Sequence, residues 1–197
     1  MTHNEWNPFD DEEEARSWVG RQGATSTAAG QTWLFFLLDG QLCGLPARQV
    51  VQMVRYAPAT PIPGLPPHLA GLCNLQGEVI PVMDLRLRLT LPAADEAART
   101  VLVVVQPMRT AAEGGMDRQF GLRVDGVEEL MALADDDIEP VGTDQAPFAT
   151  TAGPPPILGV VHHRGKRVPL LDLDNLLSSE EMLALIAGHP LTGSTHV

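Results

Sequence analysis

Basic residues are scarce in this chain: 13 lysines and arginines stand against 25 aspartates and glutamates, a formal net charge of −12. That imbalance removes the broad attraction that a phosphate backbone or an anionic bilayer needs, so no nucleic-acid partner is expected. Cysteine is scarcer still. Cys43 and Cys73 are the only two; both sit in apolar segments without CxxC spacing, which argues against a disulfide framework and a zinc ribbon and reads as inert core packing. Long hydrophobic runs are missing as well. The longest, Trp33 to Leu38, is far short of the roughly 20 residues that span a bilayer, so no direct membrane insertion is expected. The first residues, MTHNEWNPFDDEEEARSW, hold no basic region ahead of an apolar stretch, so they do not read as a secretory signal and a cytoplasmic location is expected. Neither GxGxxG nor GxxxxGK[ST] occurs, which leaves dinucleotide and P-loop chemistry without support.

What remains is an ordinary globular composition: 197 residues, 44 % hydrophobic and 19 % charged, enough for one domain or two small ones. The charge is unevenly spread. Residues 1–30 carry 6 acids and 2 bases, 31–92 carry 3 and 4, and 93–197 carry 16 and 7. The first 30 residues, with their acid run at Asp10 to Glu14 and the stretch QGATSTAAG, read as a disordered tail, solubilising or reserved for a transient basic partner. From Gln31 on, short β-type runs alternate with turn residues: WLFFLLDGQLCGLP, GEVIPVMDL, TVLVVVQ, RQFGLRV and KRVPLLDL, with Asp39-Gly40 as a hairpin signal.

An internal repeat organises these runs. LAGLCNLQGEVIPVMDLRLRL at 69–89 matches ILGVVHHRGKRVPLLDLDNLL at 157–177: Gly71 falls on Gly159, Gly77 on Gly165, Pro81 on Pro169 and Asp84 on Asp172, all at an offset of 88. Upstream, Gly44-Leu45 falls on Gly121-Leu122, Val50 on Val127, and the run at 33 on the run at 100. Two copies of a five-strand unit predict a mostly β fold of two small barrels packed on each other, since closure removes strand edges and neither copy alone has stability to spare. The first barrel is expected at roughly 31–92 and the second at roughly 98–177, with room for exchange of strands between them. LLSSEEMLALIAGHP predicts a helix capped by Ser178 or Ser179, within a C-terminal helix and tail at 178–197.

No catalytic group stands out. His162-His163 cannot easily share a metal, because neighbours on a strand face opposite ways, and they read as exposed turn residues. Asp84 and Asp172 are repeat equivalents and read as caps, and Asp135 to Asp137 as a solvated triplet. Arg86 and Arg88 alternate in DLRLRL and are expected on one face of an extended segment, giving a basic edge.

The stretch from Leu34 to Leu89, with its NLxG turn at Asn74 to Gly77 and the PVxDLR that follows, resembles the first half of a CheW-like domain. VDGV, DIEP and the closing LLDLDxLL resemble the second. The resemblance covers about residues 31–187. It implies two SH3-like five-stranded barrels and a non-catalytic adaptor, without cofactor or metal, that couples the cytoplasmic tip of a chemoreceptor to the regulatory domain of a CheA-type histidine kinase in a membrane-associated array. Carried over by alignment, Val50, Gln52, Met53, Asn74 and Gln76 would border the receptor groove, with Val50 and Met53 as apolar contacts. Ile138 and Glu139 would lie near a kinase contact, and Arg86 and Arg88 are further kinase-contact candidates. Gln52 stands where the family usually has Glu, and Gln76 where it usually has Arg. Both departures remove a charge and so the charge-assisted part of a polar contact, which points to an altered partner choice. Two competing readings stay open: a module that binds kinase but not receptor, and a small hydrolase using Asp84, Asp172 and His162.

Overall fold

The computed structural model describes residues 30–94, 100–108, 119–141, 148 and 156–176. The N-terminal acid run and the expected C-terminal helix lie outside the described residues. Ten strands appear: β1 Gln31–Leu38, β2 Gln41–Pro46, β3 Val50–Arg55, β4 Leu69–Leu75, β5 Glu78–Asp84, β6 Val101–Val105, β7 Phe120–Val124, β8 Gly126–Leu133, β9 Ile157–His163 and β10 Lys166–Leu171. Among the described residues one short helix, α1 (Leu85–Arg88), follows β5, and a 3-10 turn (Leu173–Asn175) follows β10 at the equivalent position of the second half.

The strands form two five-stranded sheets, in the orders β8-β1-β2-β10-β9 and β3-β6-β7-β5-β4. Each sheet takes two strands from one half of the sequence and three from the other. The chain passes from the first sheet to the second through the 3-10 turn Ala47–Gln49, and returns between β7 and β8 at Asp125. Hairpins supply the antiparallel pairs β1–β2, β4–β5, β6–β7 and β9–β10; the halves are joined by two long-range antiparallel pairs, β1 with β8 and β3 with β6, and by two parallel ones, β2 with β10 and β5 with β7.

Both sheets close on themselves in the same way. Past β3, Thr60 exchanges two backbone hydrogen bonds with Leu72 of β4, at 2.7 and 2.9 Å; past β8, Glu139 does so with Val160 of β9, both at 2.8 Å. The glycine beside each bridge is required. A Cβ on Gly71, which has φ +130, would overlap the Thr60 carbonyl, and one on Gly159 would come within 2.6 Å of Ile138 Cγ2. Closure thus satisfies edge groups that would otherwise template aggregation.

The period-2 alternation of a strand divides the apolar residues among three clusters. Trp33 and Phe35 of β1 face into the first sheet with Leu133, Val161, Val168 and Leu170. Leu102 and Val104 of β6 face into the second sheet with Ile80 and Val82. The other faces, Leu34, Phe36 and Leu38 of β1 and Val101, Val103 and Val105 of β6, meet in one shared core with Val50, Met53, Phe120 and Leu122. The two sheets are therefore one packed body. Each leucine or phenylalanine fully buried there contributes about 2 kcal/mol of transfer free energy, before the entropic cost of ordering it.

Candidate functional site

The residues aligned with a receptor groove fall on the second sheet, and the structure divides them by access. Val50 and Met53 are 8 % and 5 % exposed and belong to the shared core. They do not form an open apolar surface. Gln52 is half-buried; a bulge between Val50 and Gln52 sets it opposite Val104. Asn74, exposed on β4, accepts the Gly77 N–H on its Oδ1 at 2.9 Å, tying the β4–β5 turn. In that turn Gln76 has φ +54 and Gly77 φ +94, the left-handed pair that a two-residue hairpin needs. Val79, paired across the hairpin with Asn74, is 58 % exposed. Among the described residues no hydrogen bond joins Gln52 to Gln76. The exposed part of this region thus combines the amides of Asn74 and Gln76 with Val79 and the charged side chains of Glu78 and Arg55.

Arg86 and Arg88 correct the expectation of an extended basic edge. Asp84 accepts the Leu87 N–H on its Oδ1 at 3.2 Å and so caps a helical turn, α1, in which alternation no longer places both arginines on one face. Arg86 forks onto Asp125, Nε to Oδ1 at 2.8 Å and Nη2 to Oδ2 at 2.5 Å, while Nη1 donates to Asp39 Oδ1 at 3.0 Å and to the Pro92 carbonyl at 3.2 Å. The Asp39 N–H also donates to Asp125, at 2.7 Å. The hydrogen bonds that the Arg86 guanidinium donates to the Asp125 carboxylate hold it above its ordinary pKa. Arg88 is 4 % exposed, and its Nε donates to the Leu176 carbonyl at 2.7 Å. Both arginines are internal ties: Arg86 pins the return crossing at Asp125, and Arg88 pins the two halves.

A second set of ties holds the other crossing. Asp174, the repeat equivalent of Arg86, accepts the Met108 N–H at 2.9 Å and the Gln49 Nε2 at 3.4 Å. Gln49 lies in the turn that leads into β3. The buried carboxylate of Asp84 is matched by Arg123, whose Nη1 lies at 2.6 Å; Arg123 also donates to the Ala94 carbonyl at 2.7 Å and stacks 5.1 Å from the Tyr56 ring. Asp39 lies in the hairpin signal Asp39-Gly40, Asp125 in VDGV and Asp174 in LLDLDxLL, motifs that mark positions without naming partners. Arg123 carries no such motif, and the repeat offset adds only that Asp174 falls on Arg86.

The kinase-side candidates fall on the first sheet. Ile138, half-buried, packs against its interior cluster and over Gly159; Glu139 is exposed and contributes the backbone bridge to β9. Asp135–Asp137 forms an exposed 3-10 turn, with Asp137 accepting the Ala134 N–H at 3.2 Å. The histidine pair is a partial correction. His162 is exposed, but His163 lies on β9 and not in a turn; it is half-buried, 3.1 Å from Glu129 and edge-on to Phe35. Asp172 accepts the Asp174 N–H and the Asn175 amide. Asp84 and Asp172 thus cap turns that follow strands of different sheets, and neither meets His162. No group of three potential metal ligands occurs among the described residues.

The architecture is thus two closed sheets with strands exchanged between repeat halves, in which Asp84, Arg86, Arg88, Arg123 and Asp174 are engaged in structural ties. The CheW-like domain family matches residues 32–181, and the chain belongs to it. It is 30 % identical to a chemotaxis protein CheW of Rhizobium meliloti, over 79 % of this chain and 92 % of that protein. It is 28 % identical to protein FrzA of Myxococcus xanthus, over 79 % and 90 %. Among solved structures it is similar to the scaffolding protein TtCheW of Thermoanaerobacter tengcongensis, with a TM-score of 0.64 at 26 % identity, covering 78 % of this chain and 98 % of that one. The protein is a chemotaxis coupling adaptor of the CheW type, built of two β subdomains.

Proposed function

We propose that this adaptor links the cytoplasmic tip of a chemoreceptor to the regulatory domain of a CheA-type histidine kinase, by binding alone, at a membrane-associated array in the cytoplasm. One observation carries the reading: the two candidate surfaces lie on different sheets of a single packed body. Gln52, Asn74, Gln76 and Val79 belong to the second sheet, and Ile138 and Glu139 border the seam of the first. A linker needs two surfaces that can be occupied at once and whose separation does not drift. The shared core and the Arg88 tie fix that separation.

On this reading the receptor surface places the Gln52, Asn74 and Gln76 amides beside Val79 and Glu78, so neutral hydrogen bonds at positions 52 and 76 replace the charged contacts usual in the family. Restoring the charges common in the family, with Gln52→Glu and Gln76→Arg together, is expected to weaken capture of the native receptor from cytosol while kinase capture persists. Glu139→Lys is expected to do the reverse. Unchanged capture of both partners by both variants removes this assignment of surfaces.

A second reading, kinase binding without receptor binding, draws on the burial of Val50 and Met53, which leaves few apolar contacts open on the receptor side. Recovery of kinase and never receptor by the unmodified protein selects it.

A further inference from the structure

Three of the 13 basic residues of this acidic chain, Arg164, Lys166 and Arg167, fall within four positions at the tip of the β9–β10 hairpin. All three are exposed, and the Arg164 side chain is 72 % accessible. His162, also exposed, stands across the hairpin from Arg167. Among the described residues one acid meets this tip: Glu129 of β8, 3.0 Å from Arg164 Nη2 and 3.1 Å from His163 Nε2. Lys166 and Arg167 make no ion pair with any described residue. The tip is a local reversal of sign on a molecule of net charge −12. Lys166 and Arg167 project from opposite faces of β10, so the tip carries uncompensated positive charge on both sides, which favours an acidic occupant.

The chain itself carries one within reach. Asp10, Asp11, Glu12, Glu13 and Glu14 are consecutive, beside Phe9 and close to Trp6; aromatics are depleted from segments that serve only to keep a protein in solution. The described fold begins at Gly30. Gln31 pairs with Leu133 of β8, and Phe35, four positions along β1, pairs with Glu129, the residue that touches the hairpin tip. Entry point and tip are therefore separated by roughly 13 Å along the strand. The 15 residues between Glu14 and Gly30 span about 50 Å if extended and about 20 Å as a coil. Either length covers the gap, and a tether of that size gives a millimolar-range effective concentration, so that individually weak ion pairs suffice.

We propose that the acid run Asp10 to Glu14 docks on the basic hairpin tip Arg164, Lys166 and Arg167 of the same chain, so that an acidic partner reaches the tip only by displacing it. This docking does not depend on the adaptor reading.

Lys166 is the single lysine of the sequence, and its Nζ is the only side-chain amine available to zero-length carbodiimide coupling. The dilute full-length protein is treated, digested and read by mass spectrometry. The expected product is an intramolecular amide between Lys166 and a carboxylate of Asp10 to Glu14. Its yield is expected to fall by about fivefold or more in 1 M salt, where screening acts within ~3 Å. A comparable fall is expected with Arg164→Gln and Arg167→Gln together, which keep the lysine, and with Glu12→Gln, Glu13→Gln and Glu14→Gln, which leave the described fold untouched. Coupling of Lys166 only to carboxylates of the fold such as Glu129, or no coupling, overturns the proposal. Coupling to the acid run found only in covalent dimers also overturns it, and assigns the tip to a second copy.

Discussion

Arg88 and Leu176 occupy the same position in the two halves of the chain, 88 residues apart, and they bond to each other: the Arg88 Nε donates to the Leu176 carbonyl at 2.7 Å. A contact between equivalent positions is a contact of a site with its own copy. Two arginines there would repel, and two leucines would leave this carbonyl without the guanidinium donor, so the contact needs one of each. Arg88→Met keeps the apolar stem and removes the donor. Its expected cost is about 2 kcal/mol in denaturant unfolding, because the buried carbonyl loses its partner. A change below about 0.5 kcal/mol would mean the tie is dispensable.

The two crossings between sheets are held by another equivalent pair of opposite sign, Arg86 on Asp125 and Asp39, and Asp174 on Met108 and Gln49. The side chains of Arg86 and Asp125 are 15 % and 28 % exposed, sheltered enough for a forked pair to exceed the small worth of a fully exposed one. A double-mutant cycle with Arg86→Gln and Asp125→Asn is expected to give a coupling of about 1 to 2 kcal/mol. Strict additivity would show that the crossing is held by backbone packing alone.

Much of this architecture was legible in the repeat. The offset of 88 marked Asp84 and Asp172 as equivalent caps, laid Gly71 on Gly159 and showed two similar five-strand units in one chain; that both glycines sit where a Cβ would clash is visible only in the fold. Strand partnership was not legible, since β2 and β5 read alike as apolar runs and nothing local tells β10 from β5 as the partner of β2. Arg86 and Arg88 misled for a related reason: DLRLRL alternates like a strand, and only the Asp84 cap turns it into a helix. Their partners Asp125 and Leu176 are 39 and 88 positions away, beyond any local pattern. For the candidate receptor surface, the alignment gave the positions and could not give their burial, which the pairing of the sheets around Val50 and Met53 decides.

Two hairpin turns store a small strain. Gln76 and Arg164 hold φ +54 and +50 ahead of glycines, where asparagine or glycine fits better. Gln76→Asn is expected to raise stability by about 0.5 kcal/mol. If Gln76 contacts a receptor, the same variant loses receptor capture while gaining stability, a combination that a purely structural glutamine would not give. A loss of stability would show that no strain is held there.

The two thiols differ in a way a reagent can read. Burial, and after it the charge of Asp125, pushes the Cys43 thiol from its ordinary 9.0 up to about 12, while burial raises the half-buried Cys73 less. At pH 8 a disulfide reagent is expected to modify Cys73 slowly and Cys43 only after unfolding. Because the folded pKa of Cys43 lies above the unfolded one, the stability tied to its neutral form is present below pH 9 and is lost as pH rises toward 12. Cys43→Ala should flatten that alkaline decline; a decline of unchanged steepness would assign it to other groups.

The central claim is that this protein is a link, and the direct measurement is a sedimentation experiment on three purified components: the protein, a soluble fragment carrying a receptor tip, and the regulatory domain of a CheA-type kinase from the same cell. The account predicts that receptor fragment and kinase domain co-sediment only when the protein is present, in a complex containing all three. Competition between receptor and kinase for the protein, with binary complexes and no ternary one, would contradict it.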